Sequence, residues 1–231
     1  MTQRTRYFLL GSSMVIIVGL ATGLVAMYGS NLPMRTTSVG PAELVYMPGA
    51  TTAVAYANVH EVMNSEFRQK LRQVFPTGEE KDKIQAEIGV DIEHDIDTVV
   101  VGFAGNPDDK NCVALVRGRF NTPQIEAVAV QHGGQVSDYN GKRLISMSGT
   151  ESGAVAIIEP GLLALGNATS VKAAIDAAKS GENVTKNTDV MKFVAELDGR
   201  NTAWGVGRLE GMGLANTGLP QQAKEIGRAH V

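Results

Sequence analysis

The chain has 231 residues, a formal net charge of −3 and one cysteine. Charges of both signs are interspersed, so no basic face marks a nucleic-acid partner. With Cys112 alone there can be no intramolecular disulfide, and a domain outside the cytoplasm would be held by its core.

Residues 1–6 form a short tail containing Arg4 and Arg6, and Tyr7 to Tyr28 follow as an apolar run with no charge. Twenty-two residues at about 1.5 Å each reach about 33 Å as a helix, enough to cross a hydrocarbon core of roughly 30 Å. A cleaved signal peptide would have a shorter apolar region, roughly 7–15 residues, and small residues flanking its cut site. Here Leu24 and Tyr28 stand two positions before the nearest cut points, Ala26 and Ser30, so a retained anchor is expected. No cysteine near the end of the run is available to carry a lipid. Arg4 and Arg6 precede the span and only Arg35 follows closely, which keeps the amino terminus cytoplasmic and places the body outside, in the periplasm.

Gly29 to Glu43 mixes Gly, Pro, Ser and Thr without an apolar period and reads as a flexible tether. Residues 44–224 are expected to form one extracytoplasmic domain. A strand is predicted at Ala53–Asn58, then a helix with Val62, Met63, Phe67, Leu71, Val74 and Phe75 at helical spacing. A second helix runs from about Glu79 to Ile88 and stops at Gly89. Two apolar runs, Thr98–Ala104 and Cys112–Phe120, flank a turn-rich loop and predict a hairpin. Asn121-Thr122-Pro123 opens a helix that ends near His132. Further hairpins are predicted around Asn140-Gly141 and around Glu159-Pro160-Gly161. Val171, Ala174, Ile175 and Ala178 then mark a helix, Asp189–Leu197 another, and Thr202–Leu209 a last strand.

Helices alternating with hairpins predict an α+β fold: antiparallel sheet with helices packed on one face. A strand leads through Asn58 into one helix and another through Asn167 into a second, which reads either as a duplicated ferredoxin-like unit or as asparagine capping twice. The last residues, Ile226-Gly227-Arg228-Ala229-His230-Val231, resemble a translated sequencing adapter, so residues 225–231 are set aside and the domain is expected to continue past Lys224.

The sequence Leu44-Val45-Tyr46-Met47-Pro48 occurs with Ala57-Asn58-Val59, the stretch Gly89–Val99, and Val116-Arg117-Gly118-Arg119-Phe120 before a helix. This set resembles a group of uncharacterised bacterial exported or membrane-anchored proteins, filed as domains of unknown function. The resemblance spans about Leu44 to Met212 and implies an envelope location. Its motifs are strand and turn signatures, so it brings over no active-site residue.

The densest ionisable cluster is Asp91, Glu93, His94, Asp95 and Asp97, whose oxygen and nitrogen donors are the candidate metal ligands. Counted from Asp91, the calcium-loop positions for Gly and Glu hold Ile96 and Gly102, and the alternation with Val90, Ile92 and Ile96 also fits a solvated edge. Catalytic signatures are missing: His60-Glu61 lacks a second His, and Gly149-Thr150-Glu151-Ser152-Gly153 misplaces the serine of a nucleophile elbow. Neither catalytic nor cofactor-binding residues are assigned, and no cofactor is expected. The reading is a membrane-anchored binding or envelope-interaction domain, with the membrane and an envelope protein as partners. The alternatives are a hydrolase whose residues converge only in the fold, and a carrier of a small apolar ligand.

Overall fold

The computed structural model describes residues 40–64, 85–104, 111–147, 153–197 and 201–207. The apolar run 7–28, most of the helix predicted from Val62 onward, and residues 225–231 lie outside them. Among the described residues no helix is long and apolar enough to cross a membrane.

The elements in chain order are a 3-10 turn at Ala42–Tyr46, β1 (Thr51–Asn58), α1 (Val59–Asn64), α2 (Ile92–Asp95), β2 (Ile96–Ala104), β3 (Cys112–Gly118) and α3 (Thr122–Gln131). There follow β4 (Gly134–Tyr139), β5 (Lys142–Met147), β6 (Gly153–Glu159), β7 (Leu162–Asn167), α4 (Ala168–Ser180), a 3-10 turn at Val184–Lys186, α5 (Thr188–Leu197) and β8 (Ala203–Gly207). All eight strands join one sheet in the order β4-β5-β6-β7-β3-β2-β1-β8, and every pairing is antiparallel. The α+β fold and its antiparallel sheet follow from this.

Local chemistry sets the turns. Asn140 (φ 53°) and Gly141 (φ 77°) both take the left-handed conformation that a type I′ hairpin demands. The Oδ1 atoms of Asn58, Asn121 and Asn167 accept from the backbone N–H of Glu61, Gln124 and Ser170, capping α1, α3 and α4. Each cap is worth about 1 kcal/mol. The repeated strand–Asn–helix pattern is therefore a repeated cap. The strand pairing does not repeat with it, since β1 lies beside β2 whereas β7 lies beside β6 and β3, far from β8.

The expectation of helices on one face is corrected. One face packs Val54, Val100, Leu115, Ala156 and Trp204 against Leu44, Met47, Val171, Ile175 and Val194 of the first turn, α4 and α5. The other packs Val99, Val101 and Val116 against Val59, Met63 and Ile92 of α1 and α2. Strands β2 and β3 lie mid-sheet, so the alternating parities of Val99-Val100-Val101 are buried on both sides, and each side needs its own cover. Arg143, on the side of β5 opposite the core residue Leu144, ion-pairs with Glu126 of α3, whose hydrogen bond holds the Glu126 carboxyl below the usual carboxylate range.

The tether boundary is also corrected. Glu43 and Leu44 are buried at 5% and 1% exposure, and Gly40 is already buried. Residues 40–50 form a strap across the first face: Val184 N–H donates to Met47 O at 2.8 Å, and Pro48 makes a bridge to Asn183. Met47 lies over Gly102, where a Cβ would fall well inside van der Waals contact of its sulfur. Gly102→Ala is expected to lower stability by about 1–2 kcal/mol, because fully buried Met47 can move its thioether only by disturbing its neighbours. A urea denaturation midpoint unchanged from wild type would contradict this packing.

Candidate functional site

Arg117 occupies the inward parity of β3, after Val113 and Leu115, where a charge needs a partner. It has two. Its Nε donates to Glu43 Oε1 of the strap, and its Nη2 donates to Glu159 Oε1 at the end of β6, 3.0 Å away. Tyr46 Oη donates to the other Glu159 oxygen at 3.3 Å. The hydrogen bond that Arg117 donates to Glu43 contributes most to raising the Arg117 pKa, which fixes the guanidinium in its charged form. Burial, followed by the Glu159 charge, pushes the Tyr46 phenol above its ordinary value. The chemistry of this group is structural: one cation joins two carboxylates and a phenol from three separate segments. Across the β2–β3 ladder from Arg117 lies Thr98, and among the described residues neither Thr98 Oγ1 nor the buried Trp204 Nε1 has a hydrogen-bond partner.

The acidic cluster Asp91–Asp97 is put to local use. Asp91 caps α2, its Oδ1 accepting from Glu93 N–H at 3.0 Å and its Oδ2 lying 2.9 Å from His94 Nδ1. Asp95 Oδ2 accepts from Asp91 N–H at 2.9 Å, and Asp95 Oδ1 pairs with Arg119 at 3.3 Å. Asp97 lies 2.9 Å from His60 Nε2 on α1, both side chains 44% exposed. Among the described residues no three of His, Cys, Asp or Glu gather as a metal site would require. The fold thus pairs His94 with Asp91 and His60 with Asp97 in separate contacts, while His132 lies exposed just after α3.

Two residues of the resemblance motifs, Tyr46 and Arg117, meet in one cluster, and two others, Asp95 and Arg119, meet in the next. In the sequence Glu43 falls in the expected tether and Glu159 in a hairpin turn. The signal that could have found them is Arg117 itself, an obligate cation on a core-facing parity.

A cleft of about 150 Å³ opens where α4 begins against β2 and β3, lined by Pro48, Ala50, Gly102, Val113, Thr169 and Ala173. Ligand pockets usually measure roughly 300–1,000 Å³, so this one has room for a single small apolar group.

Cys112, at the start of β3, is partly buried, and burial pushes its thiol up to about 11 from an ordinary 9.0. Its folded value lies above its unfolded one, so its contribution to stability is complete below pH 9 and is lost as pH rises through 11. Wild type should lose up to about 2 kcal/mol more than Cys112→Ala across that window. Parallel stability–pH curves for the two proteins would refute it.

No family model matches the chain, and no curated protein does. Among solved structures it has a partial likeness to TP0453. Crystal form III aligns with a TM-score of 0.43 and 10% identity over 62% of this chain and 54% of that one. Crystal form I aligns at 0.40 and 11% over 61% and 52%. The chain spans about half the length of those structures, and a likeness at this level carries no functional argument.

Proposed function

We propose that this chain is a single-pass membrane protein whose extracytoplasmic α+β domain binds an envelope protein or component without catalysing a reaction. The amino terminus is cytoplasmic, residues 7–28 are the anchor, and the resemblance to bacterial exported proteins belongs to the same reading. The observation that carries it is the Glu43–Arg117–Glu159 cluster. The segment by which the domain would hang from the membrane is clamped to mid-sheet strand β3 and to β6 through the partly buried Arg117, and it carries Leu44 and Met47 into the core. For a domain tethered through its amino terminus, such a clamp would serve as a fixed point of suspension. Asp91, His94, His60, Asp97 and Arg117 are engaged in caps and cross-element pairs.

The test is to express the full chain, extract membranes with alkaline carbonate, and treat intact spheroplasts with protease. The expected result is retention in the membrane pellet, digestion of the body from outside, cross-linking to a defined envelope partner, and no turnover of ester, peptide, phosphate or glycan substrates. Release by carbonate, protection from external protease, or steady turnover of a substrate would overturn the proposal.

A further inference from the structure

Asn140-Gly141 is the one Asn-Gly pair in the chain, and both residues are exposed at the tip of the β4–β5 hairpin. Such a pair has a chemistry of its own in water. The glycine has no Cβ to shield its amide nitrogen and leaves the backbone free to turn, so that nitrogen can reach the Cγ of the preceding asparagine. In the folded hairpin the reacting atoms are held in other work. Asn140 and Gly141 are both left-handed, at φ 53° and 77°, and the Gly141 N–H donates to Asp138 Oδ1 at 3.0 Å. The side-chain amide is gripped by α4 at both of its ends: Nδ2 donates to Asp176 Oδ1 at 2.7 Å, and Oδ1 accepts from Lys179 Nζ at 3.2 Å. A carboxylate can only accept and an ammonium only donate, so these partners fix which way the amide points. Tyr139 Oη donates to the other Asp176 oxygen at 2.8 Å and ties the neighbouring residue to the same carboxylate.

We propose that Asn140 is a site of spontaneous deamidation and that the clasp from α4 decides when it reacts: the closed hairpin withholds the reaction and the open one releases it. The Gly141 nitrogen gives its proton to solvent base and bonds to Asn140 Cγ, the Cγ–Nδ2 bond breaks, and ammonia leaves. Water then opens the resulting succinimide at either carbonyl. Breaking the new bond to Cγ gives aspartate, breaking the original peptide bond gives isoaspartate, and nothing is oxidised or reduced. Lys179 polarises the carbonyl under attack, so the protection comes from position and not from a less reactive amide. β4 is an edge strand with β5 as its strand neighbour, so opening the tip breaks one ladder and this clasp. Closing again is opposed. A new carboxylate would face Asp176 Oδ1 where an N–H had donated, and isoaspartate adds a backbone atom to a two-residue turn whose length sets the pairing of Tyr139 with Lys142. A passing opening of the hairpin is thereby converted into a lasting change.

The test incubates the full-length protein at neutral pH, native and in urea, and resolves asparagine, aspartate and isoaspartate at position 140 by mass spectrometry of its peptides. The unfolded chain is expected to react more than about tenfold faster than the native one. Asp176→Ala, its folding checked by its urea midpoint, should react several-fold faster than native wild type. In wild type below the urea transition, the rate should rise in step with amide hydrogen exchange across β4 and β5, a readout that needs no variant. Equal rates in native and unfolded wild type, a rate that ignores hairpin exchange, or no acceleration in folded Asp176→Ala overturns the gating. Absence of product at position 140 in urea overturns the site itself. Asn140→Asp, which installs one product directly, is expected to lower the urea midpoint, and an unchanged midpoint overturns the lasting effect on the hairpin.

Discussion

Arg117→Met is expected to lower stability by about 3 kcal/mol, the largest single loss among the charged residues of the fold. Removing one member of a buried ion pair leaves its partner uncompensated, a change that typically costs about 3–5 kcal/mol. Glu43 is that partner, 5% exposed with its carboxylate held by Arg117. The lower end applies because the Arg117 side chain is itself one-third exposed and water moderates the loss. The double replacement Arg117→Met with Glu43→Leu should recover most of the deficit, since two well-packed apolar groups replace a desolvated pair. Urea midpoints of the two single variants and the double variant form the cycle that measures it. Additive losses would mean that the two side chains do not interact, and the cluster would lose its role as the strap's anchor. Glu159, 40% exposed in its side chain, contributes less, and Glu159→Gln should cost below about 1 kcal/mol.

Gly118→Ala should be comparably damaging for a different reason. A Cβ at Gly118 would collide with the carbonyl oxygen of Asp95 and approach Ile96 Cα at 3.0 Å. Both are backbone atoms and neither can rotate aside. The close approach comes from the irregularity in the β2–β3 ladder between Ile96 and Thr98, where the pairing slips by a residue. That slip puts Thr98 opposite Arg117 and lets Arg119 N–H donate to Asp95 O at 2.7 Å. An added methyl forces the two strands apart there, with an expected loss of about 3 kcal/mol. Chemical shifts of Asp95 and Arg119 amides should move most. A variant with wild-type stability would mean that the bulge can shift without effort. The glycine between Arg117 and Arg119 thus serves both clusters at once: it permits the slip that turns one arginine inward and the other toward α2.

Much of the secondary structure was legible because it is decided within a few residues. Asn140-Gly141 and Pro160-Gly161 fix hairpins locally, and asparagines followed by a compatible first turn fix helix starts. What was not legible depends on partners far along the chain. Glu43 sits among Gly, Pro and Thr and reads as tether, and only an arginine 74 positions away makes it part of the core. The pairing of β3 with β7 joins two meanders that the sequence shows only separately. The two-faced cover is marked in the sequence itself. The run Val99-Val100-Val101-Gly102 is continuously apolar, as a strand buried on both sides should be. In the acidic segment composition allowed either ligands or a solvated edge, and the geometry is a capped turn clasped by Arg119.

The order of strands also sets a schedule. Ala55 in β1 pairs with Gly205 in β8, about 150 positions later, whereas its other neighbour, Val101 of β2, follows far sooner. Made on a ribosome at about 5–20 residues per second, β1 waits roughly 10–30 s with one edge unsatisfied. During that interval Ala53, Val54 and Ala57 border an open row of amides and carbonyls, the arrangement that invites pairing with another chain. Such distant contacts also slow folding, since loop closure precedes the reward. Synthesis of this chain therefore includes a period of vulnerability that begins with β1 and ends only with β8.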